Sequence, residues 1–189
     1  MNIGFFGGSF NPPSNIHINI AKEVIKKFNL DKVIFVPVGN YYKKSELIEA
    51  KHRFNMLKLA IETEKNLAID DVAVNSKDML YAIDTFKLLK EKYKDNNLFF
   101  VMGSDNFRKM PKWKDYDELI SKFNIIVIER DRKKVREQLR KNILEFIPEK
   151  LSKVDSTKIR EMIRKGNLED NLLNTNVYKY IKDNNLYKS

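Results

Sequence analysis

The residues best suited to chemistry lie in one short segment near the N-terminus, residues 3–17, which reads I-G-F-F-G-G-S-F-N-P-P-S-N-I-H. A short apolar strand ends in two glycines, a tight polar turn follows, and an amphipathic helix then begins. Such a unit places the free N–H groups and the positive dipole end of the helix at the carboxyl edge of the sheet, where phosphate binds. His17 lies one turn into this helix. Its ring could face the phosphate and offset the charge that develops during a transfer reaction.

The elements that must position this segment follow from the hydrophobic pattern. Apolar runs of strand length alternate with segments of helical period, which predicts an α/β fold, a Rossmann-like open parallel sheet with helices on both faces. The predicted strands are Asn2–Phe6, Lys32–Val38, Ala68–Val74, Leu98–Gly103, Asn124–Ile128 and, as a sixth, Asn142–Ile147. The predicted helices are Asn15–Asn29, Lys51–Thr63, Tyr81–Lys94, Tyr116–Lys122, Thr157–Lys165 and Asn176–Asn184. In such a sheet, ligands bind at the carboxyl ends of the strands where the strand order reverses.

Composition narrows the class of protein. No internal repeat or long linker interrupts the 189 residues, so we predict a single domain over residues 1–189. There is no cysteine, which excludes disulfides and thiolate metal sites. No apolar run approaches the roughly 18 residues of a membrane span, and the chain enters its first strand without the pattern of a signal peptide. We therefore expect a cytoplasmic protein with no membrane partner.

The net charge of +10 raises the question of a nucleic-acid partner. Lysine is spread along the whole chain, and the densest basic run, residues 130–141, includes acidic residues and is typical of one solvated helix. We therefore expect no nucleic-acid partner. A surplus of positive charge also suits an enzyme whose substrates are polyphosphates.

The N-terminal segment resembles the signature G-G-x-F-D/N-P-P-H-x-G-H of the nucleotidyltransferase superfamily, specifically of bacterial nicotinate-nucleotide adenylyltransferases. The matching residues are Gly7, Gly8, Phe10, Asn11, Pro12, Pro13 and His17. Ser14 stands in place of the first histidine, and Ile16 in place of the last glycine. Two roles for Ser14 stay open: its side chain could cap the helix, or its hydroxyl could donate to a phosphate oxygen.

Two further blocks carry the same resemblance. Residues 154–160, V-D-S-T-K-I-R, resemble the box I-S-S-T-x-I-R, which implies that the start of a helix and its hydroxyls hold the ATP phosphates; the same residues would also suit an ordinary helix cap. Residues 101–107, V-M-G-S-D-N-F, resemble G-A/S-D-N and are followed by the only tryptophan, Trp113. Trp113 could stack on a nicotinate ring or pack in the core.

Looser blocks extend the resemblance over nearly the whole chain. Residues 36–44 resemble V-P-x-G-x-P-P-H-K, with Lys43 taken as the retained lysine and tyrosines in place of the prolines. Residues 80–86, L-Y-A-I-D-T-F, resemble S-Y-T-x-D-T-L, whose first threonine helps to hold the nicotinate carboxylate; Ala82 stands there, so backbone N–H groups would have to do so. Arg53 matches an R-x-x-M-L motif, and residues 177–187 match the family's C-terminal ending.

The resemblance implies transfer of AMP from ATP to a pyridine mononucleotide, with His17 and Arg160 catalytic. The residues expected to bind ATP are Gly8, Ser9, Phe10, Ser14, His17, Gly103, Asp105, Ser156, Thr157 and Arg160. The residues expected to bind the acceptor are Asn11, Lys43, Tyr81, Ala82, Asp84, Thr85 and Trp113. Mg²⁺ would arrive with ATP, so no metal site made by the protein alone is expected.

The sequence leaves open alternatives to the transfer of AMP to nicotinate mononucleotide. The acceptor could be nicotinamide mononucleotide or another phosphorylated small molecule, since Ala82 and the tyrosines of residues 41–42 alter that side of the site. The protein could instead bind nucleotides without turnover, since Ser14 and Ile16 alter the histidine box. Whether the chain forms a homo-oligomer is also left open.

Overall fold

A computed structural model describes residues 1–129, 143–146 and 155–188. The strands are β1 (Asn2–Gly8), β2 (Lys32–Pro37), β3 (Leu67–Ile69), β4 (Asn97–Gly103), β5 (Asn124–Ile128) and β6 (Ile143–Phe146). The helices are α1 (Asn15–Phe28), α2 (Ala50–Ala60), α3 (Ala82–Lys92), α4 (Ser104–Lys109), α5 (Tyr116–Lys122), α6 (Ser156–Lys165) and α7 (Thr175–Asp183), with a 3₁₀ turn at Met110–Lys112.

The six strands form one sheet in the order β3-β2-β1-β4-β5-β6, and every neighbouring pair is parallel. The chain starts in the middle of this sheet with β1, builds outward to β3, and then returns to place β4 on the other side of β1. The strand order therefore reverses between β1 and β4, where a crevice opens at the carboxyl edge. The predicted α/β open parallel sheet is confirmed.

Two hydrophobic clusters cover the two faces of the sheet. Successive residues of a strand point to opposite faces, so Phe5 and Phe6 of β1 belong to different clusters. The Phe6 cluster contains buried residues of α1, α2, α6 and α7, whereas the Phe5 cluster contains those of α3, α4 and α5. Helices on both faces explain why the central strands are apolar along their whole length.

Some predicted boundaries are wrong. The strand predicted over Ala68–Val74 is only three residues long, because the chain turns at Asp70, whose buried carboxylate accepts the Val72 N–H at 3.0 Å. Strand β1 runs two residues beyond its predicted end, to Gly8. Helix α4 was not predicted. The predicted strand ends at positions 142 and 147, and the predicted helix over residues 130–141, lie outside the described residues.

Across the described ranges, every helix is too short or too polar to cross a membrane.

Candidate active site

Two cavities open side by side at the carboxyl ends of β1, β2 and β4. The first, of about 430 Å³, we call the aromatic cavity; the aromatic residues in its wall are Phe5, Tyr41, Tyr42, Tyr81, Phe86, Phe100 and Trp113. The second, of about 480 Å³, we call the polar cavity; the side chains with polar groups in its wall include Ser9, Ser14, His17, Asp105, Asp155, Ser156, Thr157 and Arg160. Both cavities share a boundary, here called the seam, made of Gly7, Gly8, Ser9, Lys44 and Asn106.

The residues singled out from the sequence fall on these walls in two groups. All ten residues expected to bind ATP line the polar cavity. Five of those expected to bind the acceptor line the aromatic cavity, namely Lys43, Tyr81, Ala82, Thr85 and Trp113. Asn11 and Asp84 line neither cavity. Trp113 also packs against the Phe5 cluster, which confirms its packing role, while its stacking on a nicotinate ring stays a prediction.

The turn after β1 is shaped by Gly8 and Phe10. A Cβ atom on Gly8 would lie 2.9 Å from the Phe10 ring, so only glycine allows this packing. Phe10 itself has a φ of 45°, in the left-handed region. Its buried ring lies edge-on to Phe35, with centroids 5.3 Å apart, and edge-on to His17 at the same centroid distance. The turn is thereby fixed to the core, and one side of the His17 ring rests on it.

Ser14 orients the ring of His17. The Ser14 backbone N–H donates to His17 Nδ1 at 3.0 Å, and the Ser14 hydroxyl lies 2.8 Å from the same nitrogen. Because Nδ1 accepts an amide hydrogen, the neutral ring carries its proton on Nε2. Ser14 is buried at the residue before α1, and its hydroxyl is directed at the histidine. The hydrogen-bond donor of the neutral His17 ring is therefore its Nε2–H.

Arg160 is held by protein oxygens. Its side chain is 5% exposed, and its Nη1 donates to the carbonyl of Asn11 at 3.0 Å. Its Nη2 donates to Glu46 Oε2 at 2.9 Å, while Glu46 Oε1 accepts from Arg164 at 2.5 Å. These two arginines hold the pKa of Glu46 below its usual range. Arg160 thus joins the turn after β1 to α6 and to the segment between β2 and α2, residues 38–49, called here the β2–α2 loop.

Two predicted site residues have other contacts. Asn11 is buried: its Nδ2 donates to the Glu46 carbonyl at 2.8 Å, and its Oδ1 accepts from the Tyr187 hydroxyl at 2.9 Å. Asp84 accepts the Tyr81 N–H at the start of α3 and pairs with Lys114 at 3.0 Å. Asn11 supports the site from behind, and Asp84 caps a helix beside it.

Arg53, singled out only as part of a motif, is completely buried and binds three backbone carbonyls. Its Nε donates to Ile48 at 3.0 Å, its Nη1 to Ser9 at 2.9 Å and its Nη2 to Val38 at 2.6 Å. Burial lowers the pKa of Arg53 to about 10, so the guanidinium stays protonated at neutral pH. It joins the turn after β1 to both ends of the β2–α2 loop.

Lys44 is a residue of both cavities that the sequence reasoning missed. It lines both cavities, and its Nζ donates to Ser9 Oγ at 2.9 Å. The assignment of Lys43 as the family's retained lysine was wrong by one position: counted from Val36, the lysine of V-P-x-G-x-P-P-H-K falls on Lys44. Lys43 takes the place of the motif's histidine and lines the aromatic cavity. A strict count along the motif would have found Lys44.

A parallel sheet that places a glycine turn, a helix start and a histidine at its switch point defines a nucleotide-binding α/β protein. The chain belongs to the cytidylyltransferase-like family, whose model matches residues 5–162. The probable nicotinate-nucleotide adenylyltransferase of Borrelia garinii subsp. bavariensis is 39% identical over 189 residues, which cover 99% of this chain and 95% of that protein. A Clostridium botulinum protein of the same name is 37% identical over the full length of both.

Solved structures share the fold. The nicotinic acid mononucleotide adenylyltransferase of Plasmodium falciparum, complexed with NaAD, superposes with a TM-score of 0.82 at 23% identity, over 98% of this chain and 97% of that one. The same protein complexed with APC gives a TM-score of 0.81, over 98% of this chain and 96% of that one. At this level of identity, the likeness establishes the fold alone.

Replacing Arg53 with methionine should lower the free energy of unfolding by about 3–5 kcal/mol, since buried carbonyls left without a donor cost roughly 1–3 kcal/mol each. Urea denaturation measures this. Lys51→Met, at an exposed position of the same helix, should change the value by less than about 0.5 kcal/mol. A change within about 1 kcal/mol for Arg53→Met would contradict the structural role given to Arg53.

Proposed function

We propose that this protein is an adenylyltransferase that transfers AMP from ATP to nicotinate mononucleotide, giving deamido-NAD and pyrophosphate in NAD biosynthesis. The observation that carries the proposal is the pair of cavities that meet at the turn after β1, one lined by helix starts and hydroxyls and the other by aromatic rings and lysines. The relatives of 37–39% identity, named probable nicotinate-nucleotide adenylyltransferases, support the same activity.

The polar cavity suits the triphosphate of ATP. Helix α1 starts at Asn15 and α6 at Ser156, both beside this cavity; neither has an acidic residue in its first turn, although the carboxylate of Asp155 before α6 accepts the Lys158 N–H. Two helix starts therefore direct N–H groups and positive dipole ends towards one space, which favours a polyanion. Lys44 and Lys109 add positive charge to the wall.

The aromatic cavity suits a pyridine mononucleotide. Trp113 and Tyr81 offer flat faces to a pyridine ring. Helix α3 starts at Ala82 in the same wall, so its first N–H groups could hold the nicotinate carboxylate although Ala82 has no hydroxyl. Lys43 and Lys112 add positive charge for the acceptor phosphate.

The reaction needs no covalent bond to the protein. An oxygen of the acceptor phosphate attacks the α-phosphorus of ATP, the bond from that phosphorus to the bridging oxygen breaks, and pyrophosphate leaves. The protein contributes position and stabilisation of charge. We assign to His17 Nε2–H and the Lys44 ammonium the donation of hydrogen bonds to phosphate oxygens. Arg160 contributes mainly by holding the wall, because its Nη groups donate to the carbonyls of Asn11 and Ser156, to Glu46 and to the Thr157 hydroxyl.

Mg²⁺ is proposed to enter as part of the MgATP substrate. Oxygen donors suit this ion, which keeps several of its waters. Asp105 is the residue that would hold it, since this carboxylate lines the polar cavity and is 60% exposed, with Oδ1 accepting from Arg108. Bound there, the ion would supply charge neutralisation to the triphosphate.

The test of the function is Mg²⁺-dependent release of pyrophosphate from ATP, with nicotinate mononucleotide and nicotinamide mononucleotide as parallel acceptors. We expect release with a clear preference for nicotinate mononucleotide. Release only with nicotinamide mononucleotide would identify that compound as the acceptor. The absence of a hydroxyl at Ala82 would favour this outcome. Release with neither, from folded protein that binds ATP, would overturn the proposal.

His17→Ala should lower kcat by roughly 10²–10³, the usual effect of removing one donor to a charge that develops in the transition state. The unfolding midpoint should fall only slightly, since the ring is half-buried and caps one helix turn. Asn19→Ala, at an exposed position of the same helix, is the control and should leave kcat unchanged. An unchanged kcat in His17→Ala would remove His17 from the mechanism.

Lys44→Met should lower kcat by about 10–100-fold, because the ammonium at the seam can reach phosphates on both sides. Lys43→Met should raise the KM of the acceptor more than that of ATP, since Lys43 lines only the aromatic cavity. Steady-state kinetics with each substrate varied would measure both. Equal effects of the two variants on the two substrates would contradict the assignment of Lys44 to the seam.

A further inference from the structure

Glu46 has a backbone conformation that a side chain disfavours. Its φ is 55°, in the left-handed region where glycine is the usual residue, so the folded protein must hold it there. Such a conformation persists only where surrounding contacts determine it, and it often marks a functional segment. The β2–α2 loop that contains Glu46 also carries the lysines of the seam and of the aromatic cavity.

The contacts that hold Glu46 come from two separate parts of the chain. Its carboxylate accepts from Arg160 Nη2 at 2.9 Å and from Arg164 Nη2 at 2.5 Å, both on α6. Its carbonyl accepts from Asn11 Nδ2 at 2.8 Å, in the turn after β1. The Arg160 side chain is only 5% exposed, whereas that of Glu46 is 45% exposed, so the ion pair is buried on the arginine side and open to water on the carboxylate side. Glu46 is thus fixed to both walls of the polar cavity.

The part of the β2–α2 loop that directly precedes Glu46 is exposed to solvent. Residues 41–45 are exposed, and Glu46 is where this stretch rejoins the body of the protein through its ion pairs. Lys44 lies two residues before that attachment and reaches Ser9 at the seam. The position of the Lys44 backbone is therefore set on one side by Glu46.

We propose that Glu46 is a positioning residue for adenylyl transfer: by pairing with Arg160 and Arg164 it fixes the end of the β2–α2 loop on α6, and so holds the Lys44 ammonium at the seam. This inference rests on the proposed function. In a different role, the Glu46 carboxylate would compete with ATP phosphates for the arginines, and removing it would have the opposite effect on activity. A competing anion would slow the enzyme, so its removal would raise activity or tighten ATP binding.

Glu46→Gln keeps the shape of the side chain and removes the charge. We expect kcat to fall about 10-fold with the KM values changing less than about threefold, because the loss concerns the transition state. The unfolding midpoint should stay close to that of the wild type. Glu49→Gln, which removes an exposed carboxylate from the same loop, is the matched control and should leave kcat unchanged. A lower midpoint with unchanged kcat, or a raised kcat or ATP affinity, would overturn the proposal.

A double-mutant cycle tests whether Glu46 acts through Lys44. If it does, Glu46→Gln should cost little further kcat in a Lys44→Met background, because residues that act as a unit are not additive. If the two substitutions lower kcat by factors that multiply in the double variant, Glu46 does not act through Lys44.

A second experiment, chemical labelling of lysines, does not require catalytic turnover. Brief acylation by an N-hydroxysuccinimide ester, followed by mass spectrometry, reports how accessible each lysine is. Lys44 is already exposed, but its amine donates to Ser9, so its labelling should rise at least about twofold in Glu46→Gln when the freed loop end loses that hydrogen bond, with exposed Lys51 unchanged. Unchanged Lys44 labelling would overturn the positioning role. If the wild type releases no pyrophosphate, the proposed function fails, while this experiment still tests Glu46.

Discussion

The site depends on one buried charge, the guanidinium of Arg53. A buried ion is costly unless its hydrogen bonds are satisfied, and here three backbone carbonyls satisfy them. Those carbonyls belong to Ser9 after β1, to Val38 after β2 and to Ile48 just before α2. The positive charge thus draws together the segments that form the seam. Because Ser9 lines both cavities, Arg53 sets their common boundary from behind.

Arg160 repeats this principle on the other side of the polar cavity. Its family motif implies contact with ATP phosphates, and it does line the cavity, yet its Nη groups donate to Asn11 and Glu46. The two buried arginines therefore hold the walls. The groups that we propose to meet the ligands are of other kinds: helix starts, the Nε2–H of His17 and the ammonium of Lys44. This division explains why we assign more of the proposed chemistry to Lys44 at the seam than to Arg160.

The architecture could be predicted from the sequence because parallel strands covered on both faces are apolar throughout and alternate with helical periods. Short elements could not: β3 ends after three residues because the carboxylate of Asp70 turns the chain. Helix α4 begins directly after β4, within the motif whose Gly103 and Asp105 were predicted to bind ATP. Its six residues are too few to show a helical period.

The composition of the site could be predicted better than the roles of its residues. All ten residues that the motifs assigned to ATP line the polar cavity, because each motif follows a strand or starts a helix at the same edge of the sheet. They could not distinguish a residue that faces a ligand from one that supports it, because Asn11 and Asp84 differ from cavity residues only in the partners that folding brings to them. No sequence pattern indicated a role for Glu46, because its left-handed backbone and its arginine partners arise from contacts distant in sequence.

In the reaction that we propose, two substrates meet at the seam and react directly, without a covalent intermediate on the protein. The most direct measurement uses ATP with one sulfur of defined configuration on the α-phosphorus, and determines the configuration at that phosphorus in the dinucleotide product. A single displacement between two adjoining cavities predicts inversion of configuration. Retention would require two displacements, and therefore an adenylylated protein, and would exclude direct transfer between the substrates.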